Sequence, residues 1–201
     1  MLYKKLLFVG LCAALLCGCH RGSTSVVKDD KVAIQKVDDQ LDVDGADING
    51  QDDPLESRVE IKVGSSSGFG LEIKGGTFYR GYVDKKTKIA TYQLYAVIHD
   101  SNWMNWDKAK YLAQEGLVEE TVTQVSKNVR CSQFGCKHTE HVILHLDRSV
   151  LDKWKSKETT LRFSSSTVSG SKDFDIDEND TNKFIKAMDA VVSYYSKQTL
   201  K

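Results

Sequence analysis

From residue 58 onward, apolar and polar side chains alternate with a period of two. Arg58-Val59-Glu60-Ile61-Lys62-Val63 puts three branched apolar residues on one face and three charged residues on the other. Successive side chains of a strand point to opposite faces, so this pattern predicts a half-buried β-strand. Residues 70–74 alternate again between glycines. Residues 77–83 and 89–98 predict two further strands around a turn at 84–88, rich in the Val, Ile, Tyr and Thr that pleated surfaces favour. The composition of residues 107–113 suits a helix, but Ala109, Tyr111 and Ala113 alternate, and a strand is the better fit. Residues 117–131 predict one long strand and 136–146 another, with Ser132-Gln133-Phe134-Gly135 as the hairpin loop between them. Shorter strands are expected at 159–163 and 173–177.

Helical spacing enters late. Residues 148–155 predict a short helix. Phe184, Ile185, Met188, Val191, Val192 and Tyr195 then recur at three- and four-residue intervals, behind Asp180 or Thr181 as an N-cap. A helix with one apolar face must lie on something, and the sheet is the surface at hand. The expected fold is therefore α+β: an antiparallel sheet of about six to eight strands, a short helix, and a C-terminal amphipathic helix packed on the sheet.

Composition divides the chain. Residues 20–57 carry ten acids and four bases, a net charge of −6, with no aromatic residue and the only proline, Pro54. So little apolar surface is not expected to offset the entropy of ordering it. The expected layout is residues 1–18 as a leader, 19–57 as a disordered acidic tether beginning at a modified cysteine, and 58–201 as a single globular domain. The formal charge of zero becomes −2 once Lys4 and Lys5 leave with the leader. A near-neutral chain has no bulk electrostatic attraction for nucleic acid or for anionic lipid.

The leader rests on Lys4 and Lys5 followed by the apolar run 6–16. That run is too short to span a bilayer core of roughly 30 Å, which needs about 20 apolar residues, and it suits a secretory signal peptide. Leu16-Cys17-Gly18-Cys19 resembles the bacterial lipobox. The resemblance implies cleavage before Cys19, diacylglycerol on its sulfur, and a membrane-anchored envelope lipoprotein. His20 stands where an aspartate serves as the usual inner-membrane retention signal, so the outer membrane is the expected destination in a two-membrane cell.

The chemistry-bearing residues are few. Cys131 and Cys136 flank the predicted hairpin loop, and in an exported chain they are expected to form a disulfide. His138, His141 and His145 follow closely and are weak candidates for zinc. On a straight strand His141 and His145 lie roughly 13 Å apart, too far to ligate one ion. Residues 45–56 place Asp47, Asn49, Gly50 and Glu56 at EF-hand positions, but Gly45 stands where an aspartate is required and Pro54 interrupts the loop. Trp103, Met104 and Trp106 form the densest aromatic cluster, and Trp103 and Trp106 are the candidate binding surface. Serines occur in runs at 65–67 and 164–166. The sequence has no Gly-x-Ser-x-Gly elbow, phosphate loop or dinucleotide fingerprint, so no catalytic residue and no cofactor is expected.

The segment from Trp103 to the C-terminus loosely resembles a group of uncharacterised bacterial lipoproteins of similar size, which implies no activity and no site residues. The expected role is a non-enzymatic binding or structural module on a lipid anchor, with an envelope protein as partner. The rival readings are an envelope hydrolase centred on Trp103 and Asp107, and a metal-handling protein using the Cys/His hairpin.

Overall fold

The computed structural model describes residues 35–37, 40–51, 53–64, 75–113 and 116–198. Cys19, the serines at 65–67 and the strand expected at 70–74 lie outside them. The described elements are β1 (Gln35–Val37), β2 (Gln40–Asp42), β3 (Asp47–Asn49), β4 (Arg58–Val63), β5 (Gly76–Asp84), β6 (Ala90–Asp100), β7 (Lys108–Ala113), β8 (Gly116–Thr121), β9 (Thr123–Ser132), β10 (Gly135–Leu146), α1 (Arg148–Trp154), β11 (Thr159–Ser164), β12 (Ser171–Ile176) and α2 (Glu178–Gln198). The class is α+β, and every strand pairing is antiparallel. One sheet has the order β3-β4-β5-β6-β10-β9, a second the order β12-β11-β7-β8, and β1 pairs with β2.

Two expectations are corrected. The long strand expected at 117–131 is two strands in two different sheets, broken at Val122. There the backbone N–H donates to the Asp107 carbonyl at 3.0 Å and the side chain is buried. Thr121, Val122 and Thr123 are all strand formers, so composition alone does not reveal the break. The acidic segment also joins the fold earlier than residue 58. Leu41 and Val43 are buried in the core, Ile48 on β3 pairs with Ile61, and the Tyr195 hydroxyl donates to the Gln51 carbonyl at 3.0 Å. Average composition underrates such a segment, because a few apolar side chains spaced for one face are enough to seat it.

The larger sheet has one face turned inward. Register aligns Val59 with Val83, Ile61 with Gly81 and Val63 with Tyr79, then Tyr79 with Leu94 and Leu94 with Leu144. α2 lies against β4 and β5 on this face, burying Phe184, Ile185, Ala187, Met188 and Val191. Each fully buried large apolar side chain stabilises by about 1.5–3 kcal/mol before entropy is counted. The close approach depends on Gly81. A Cβ built there would stand 2.4 Å from the Met188 sulfur and 2.9 Å from Phe184 Cζ. Phe184 stacks on the Tyr79 ring at 4.9 Å and meets Tyr92 edge-on at 6.2 Å. Thr181 donates to the Asp177 carbonyl at 2.9 Å, so the buried Tyr79 hydroxyl donates to Thr181 Oγ1 at 2.7 Å. The helix starts earlier than its apolar spacing implies, with Asp177 accepting from the Asn179 N–H at 2.6 Å.

The second sheet contributes Ala109, Tyr111, Leu161 and Phe163 to the same continuous core, and Tyr111 meets Trp154 of α1 edge-on at 5.1 Å. Arg148 on α1 and Asp189 on α2 form a two-pronged ion pair between the helices.

Gly81→Ala is expected to cost about 1–3 kcal/mol, because Met188 and Phe184 must leave their seats. Urea unfolding checks this: an unchanged midpoint would mean that the helix does not depend on the missing Cβ.

Candidate functional site

Alternation along β10 sends its side chains two ways. Glu140, Val142, Leu144 and Leu146 point to the core face together with His138, while Lys137, Thr139, His141, Ile143 and His145 lie on the opposite face. The histidine trio is therefore divided. His138 packs edge-on against Trp103 with ring centroids 4.6 Å apart, and Lys127 Nζ sits 5.3 Å from the Trp103 ring centre. The tryptophan pair divides as well. Trp106 is a core residue, 2 % exposed, whereas Trp103 is half-buried.

Glu140 holds this corner together. It is 1 % exposed, on a face that is apolar from Val142 to Leu146. One carboxylate oxygen accepts the backbone N–H groups of Met104 at 2.7 Å and Asn105 at 3.0 Å. The other accepts from Gln124 Nε2 at 2.9 Å, with Lys127 Nζ at 3.8 Å. A buried carboxylate needs such partners to offset its lost hydration. In return, the bonds pin the 101–107 loop, including Asn105 at φ 56°, a left-handed conformation that asparagine tolerates well. Glu140 thus positions Trp103.

On the opposite face a polar and aromatic network crosses the strands. The Tyr95 hydroxyl lies 3.0 Å from His141 Nδ1, and Phe78 stacks on Tyr95 at 4.8 Å. Arg80 donates to Glu60 at 2.9 Å and covers the Tyr82 ring at 4.9 Å, while Lys62 reaches the same carboxylate at 2.7 Å. His99 Nδ1 is 2.9 Å from Thr139 Oγ1. Burial, reinforced by the charge of His99, lowers the His141 pKa, and burial raises that of Tyr95 against the opposing pull of Arg80. A neutral His141 is thereby favoured. On β6, β10 and β9 this face carries Arg130, Lys137 and three histidines but no acid.

Cys131 and Cys136 form a disulfide with the sulfurs 2.01 Å apart and the Cα atoms 4.0 Å apart, directly opposite in register. The hairpin turns at Gln133-Phe134, helped by Gly135 at φ 123°. Phe134 at the apex is 90 % exposed, and every residue of β9 is exposed.

Asp107, the centre of the hydrolase reading, is half-buried at the end of the 101–107 loop. Its carboxylate accepts both the backbone N–H of Ser166, at 2.9 Å, and the Ser166 hydroxyl, tying two loops. Two open clefts among the described residues lie elsewhere. One, of about 340 Å³, runs between α1 and the β7–β8 hairpin beside Tyr111, Val118 and Trp154. The other, of about 250 Å³, lies beside Tyr79 with Asp175, Asp177 and Asp180 on its rim. Among the described residues no three His, Cys, Asp or Glu side chains are placed to hold a metal ion. In the would-be EF-hand, Asp47 and Asn49 lie on β3, paired with β4. Sequence reasoning passed over Glu140, Tyr95, His99 and Arg80. Only Glu140 carried a visible mark, as an acid in phase with the apolar positions 142, 144 and 146.

Glu140→Ala should destabilise by about 3 kcal/mol, since two loop N–H groups lose their acceptor, whereas Glu140→Gln keeps one acceptor oxygen and should cost less than half as much. Urea midpoints with tryptophan emission test the order; equal costs would argue against the loop-pinning role. For His141 the sign is that of a lowered pKa. The unfolded chain takes up the proton first as pH falls through the ordinary histidine range near 6.5, so the contribution of His141 is complete above that range and is lost below it. His141→Gln should flatten the fall in stability between about pH 8 and about pH 5. An unchanged slope would remove His141 as its source.

No protein-family model, curated protein or solved structure matches this chain.

Proposed function

We propose that this chain is a lipid-anchored envelope protein, held in the outer membrane through Cys19, whose folded body is a non-enzymatic binding module. The lipobox-like Leu16-Cys17-Gly18-Cys19 supports the anchor. The observation that carries the binding role is the β9–β10 hairpin. β9 is the edge of the larger sheet and is exposed along all of its ten residues, and the tip beyond it is closed by a disulfide. An edge strand presents unpaired backbone groups, and a long one left open is a ready docking rail. Val125, Val129 and Phe134 add exposed apolar surface along the same hairpin. The polar groups that chemistry could use are engaged in holding structure: Glu140 on a loop, His141 on Tyr95, Asp107 on Ser166.

Replacing Cys19 is the direct test. Cys19→Ser should abolish incorporation of labelled fatty acid and move the protein out of the membrane fraction, with the Cys131–Cys136 disulfide still detected by non-reducing electrophoresis. Label retained by the variant would sink the anchor.

A further inference from the structure

The cleft between α1 and the β7–β8 hairpin shares no lining residue with the β9–β10 arm, and its volume of about 340 Å³ is that of a small-ligand site. Tyr111, Ala113 and Val118 form one wall, set on one face of the hairpin by alternation and cross-strand register. Val150 and Trp154 form the other, one helical turn apart on α1. The edge-on contact of Tyr111 with Trp154 joins the two walls. Lys153 and Lys157 line the same cleft, the first half-buried and the second exposed. Among the described residues neither ammonium group has a hydrogen-bond or ion-pair partner. The one acid in the lining, Asp152, is already engaged, with Lys155 Nζ at 2.9 Å and Arg148 Nε at 3.4 Å. On the facing hairpin Glu119 holds Lys108 and Lys110, and Glu120 accepts the Tyr111 hydroxyl. Apolar walls therefore meet two cations that no neighbouring acid engages.

We infer that this cleft binds a small amphiphilic carboxylate, with its apolar body between Val118, Val150 and Trp154 and its headgroup on Lys153 and Lys157. Binding here needs neither the β9–β10 arm nor an anchor at Cys19. The two parts of the ligand do different work. Each methylene taken out of water strengthens binding by about fourfold, so the apolar body supplies most of the affinity. An ammonium–carboxylate contact open to solvent contributes at most about fivefold, so the lysines select the sign of the headgroup. A cationic amphiphile would face both lysines unpaired, and a nonionic one would leave them as they are. A concave site of this volume suits a small molecule, whereas a stable protein interface covers about 800 Å² per partner.

The test titrates octanoate into the full chain carrying Cys19→Ser, kept free of detergent that would compete for the ligand. NMR reads the Trp154 indole N–H and the Val118 and Val150 methyl groups. All three should shift saturably, with a Kd of about 1 mM or below. Lys153→Ser and Lys157→Ser should each weaken binding about threefold, and the double variant about tenfold. Lys86→Ser, in the exposed turn before β6, should leave it unchanged. Octanol should bind about tenfold more weakly than octanoate, and acetate should not saturate. Absence of saturable shifts, or shifts that saturate away from these walls, overturns the inference. Octanol binding as tightly as octanoate also overturns it, because charge would then play no part. Acetate matching octanoate does the same, since the apolar walls would then contribute nothing. None of these outcomes bears on acylation of Cys19, which labelled fatty acid reads separately.

Discussion

Gly81 and the helix above it set the geometry on which the larger sheet depends. Strand β5 presents Tyr79, Gly81 and Val83 to α2, and the absent side chain at Gly81 lets Met188 and Phe184 sit against the backbone. A one-residue slip of β5 would turn Phe78, Arg80 and Tyr82 to the helix and send Tyr79 outward. Arg80 would then lose Glu60, and Tyr79 would lose the hydroxyl of Thr181. Seating the helix therefore decides which residues form the outer face of β5, and through cross-strand pairing those of β6 and β10.

Glu140 plays the corresponding part at the other end of the sheet. It lies on the core face, where an isolated carboxylate would be costly, and is satisfied by two loop N–H groups and the Gln124 amide. The loop that it fixes leads into β7 and the second sheet, and Trp103 rides on that loop. Val122 closes the return path, with its N–H on the Asp107 carbonyl. The passage between the sheets is thus pinned by hydrogen bonds as well as by apolar packing, and the hairpin beyond it is left open to solvent.

The exposed hairpin and the tied-down polar groups belong to one design. Glu140, His141 and Asp107 bond within the fold, while the least buried strand carries one end of the disulfide and leads to the exposed Phe134. A disulfide-closed hairpin has little conformational freedom left to lose on contact.

Much of the fold was legible in the residues. Period-two alternation located most strands, three- and four-residue spacing located α2, and the spacing of Cys131 and Cys136 across a turn anticipated their bond. These are local signals, set by where successive side chains point. The tertiary structure alone decided the rest. It broke 117–131 between two sheets, because strand propensity is blind to which neighbour a strand pairs with. It drew Leu41 and Val43 out of an acidic segment into the core, since burial depends on what lies opposite and not on average composition. It separated His138 from His141 and Trp103 from Trp106, and it joined Tyr95 to His141 across 46 positions of sequence. Sites are made by register and packing between distant segments, and no single stretch of sequence contains that information.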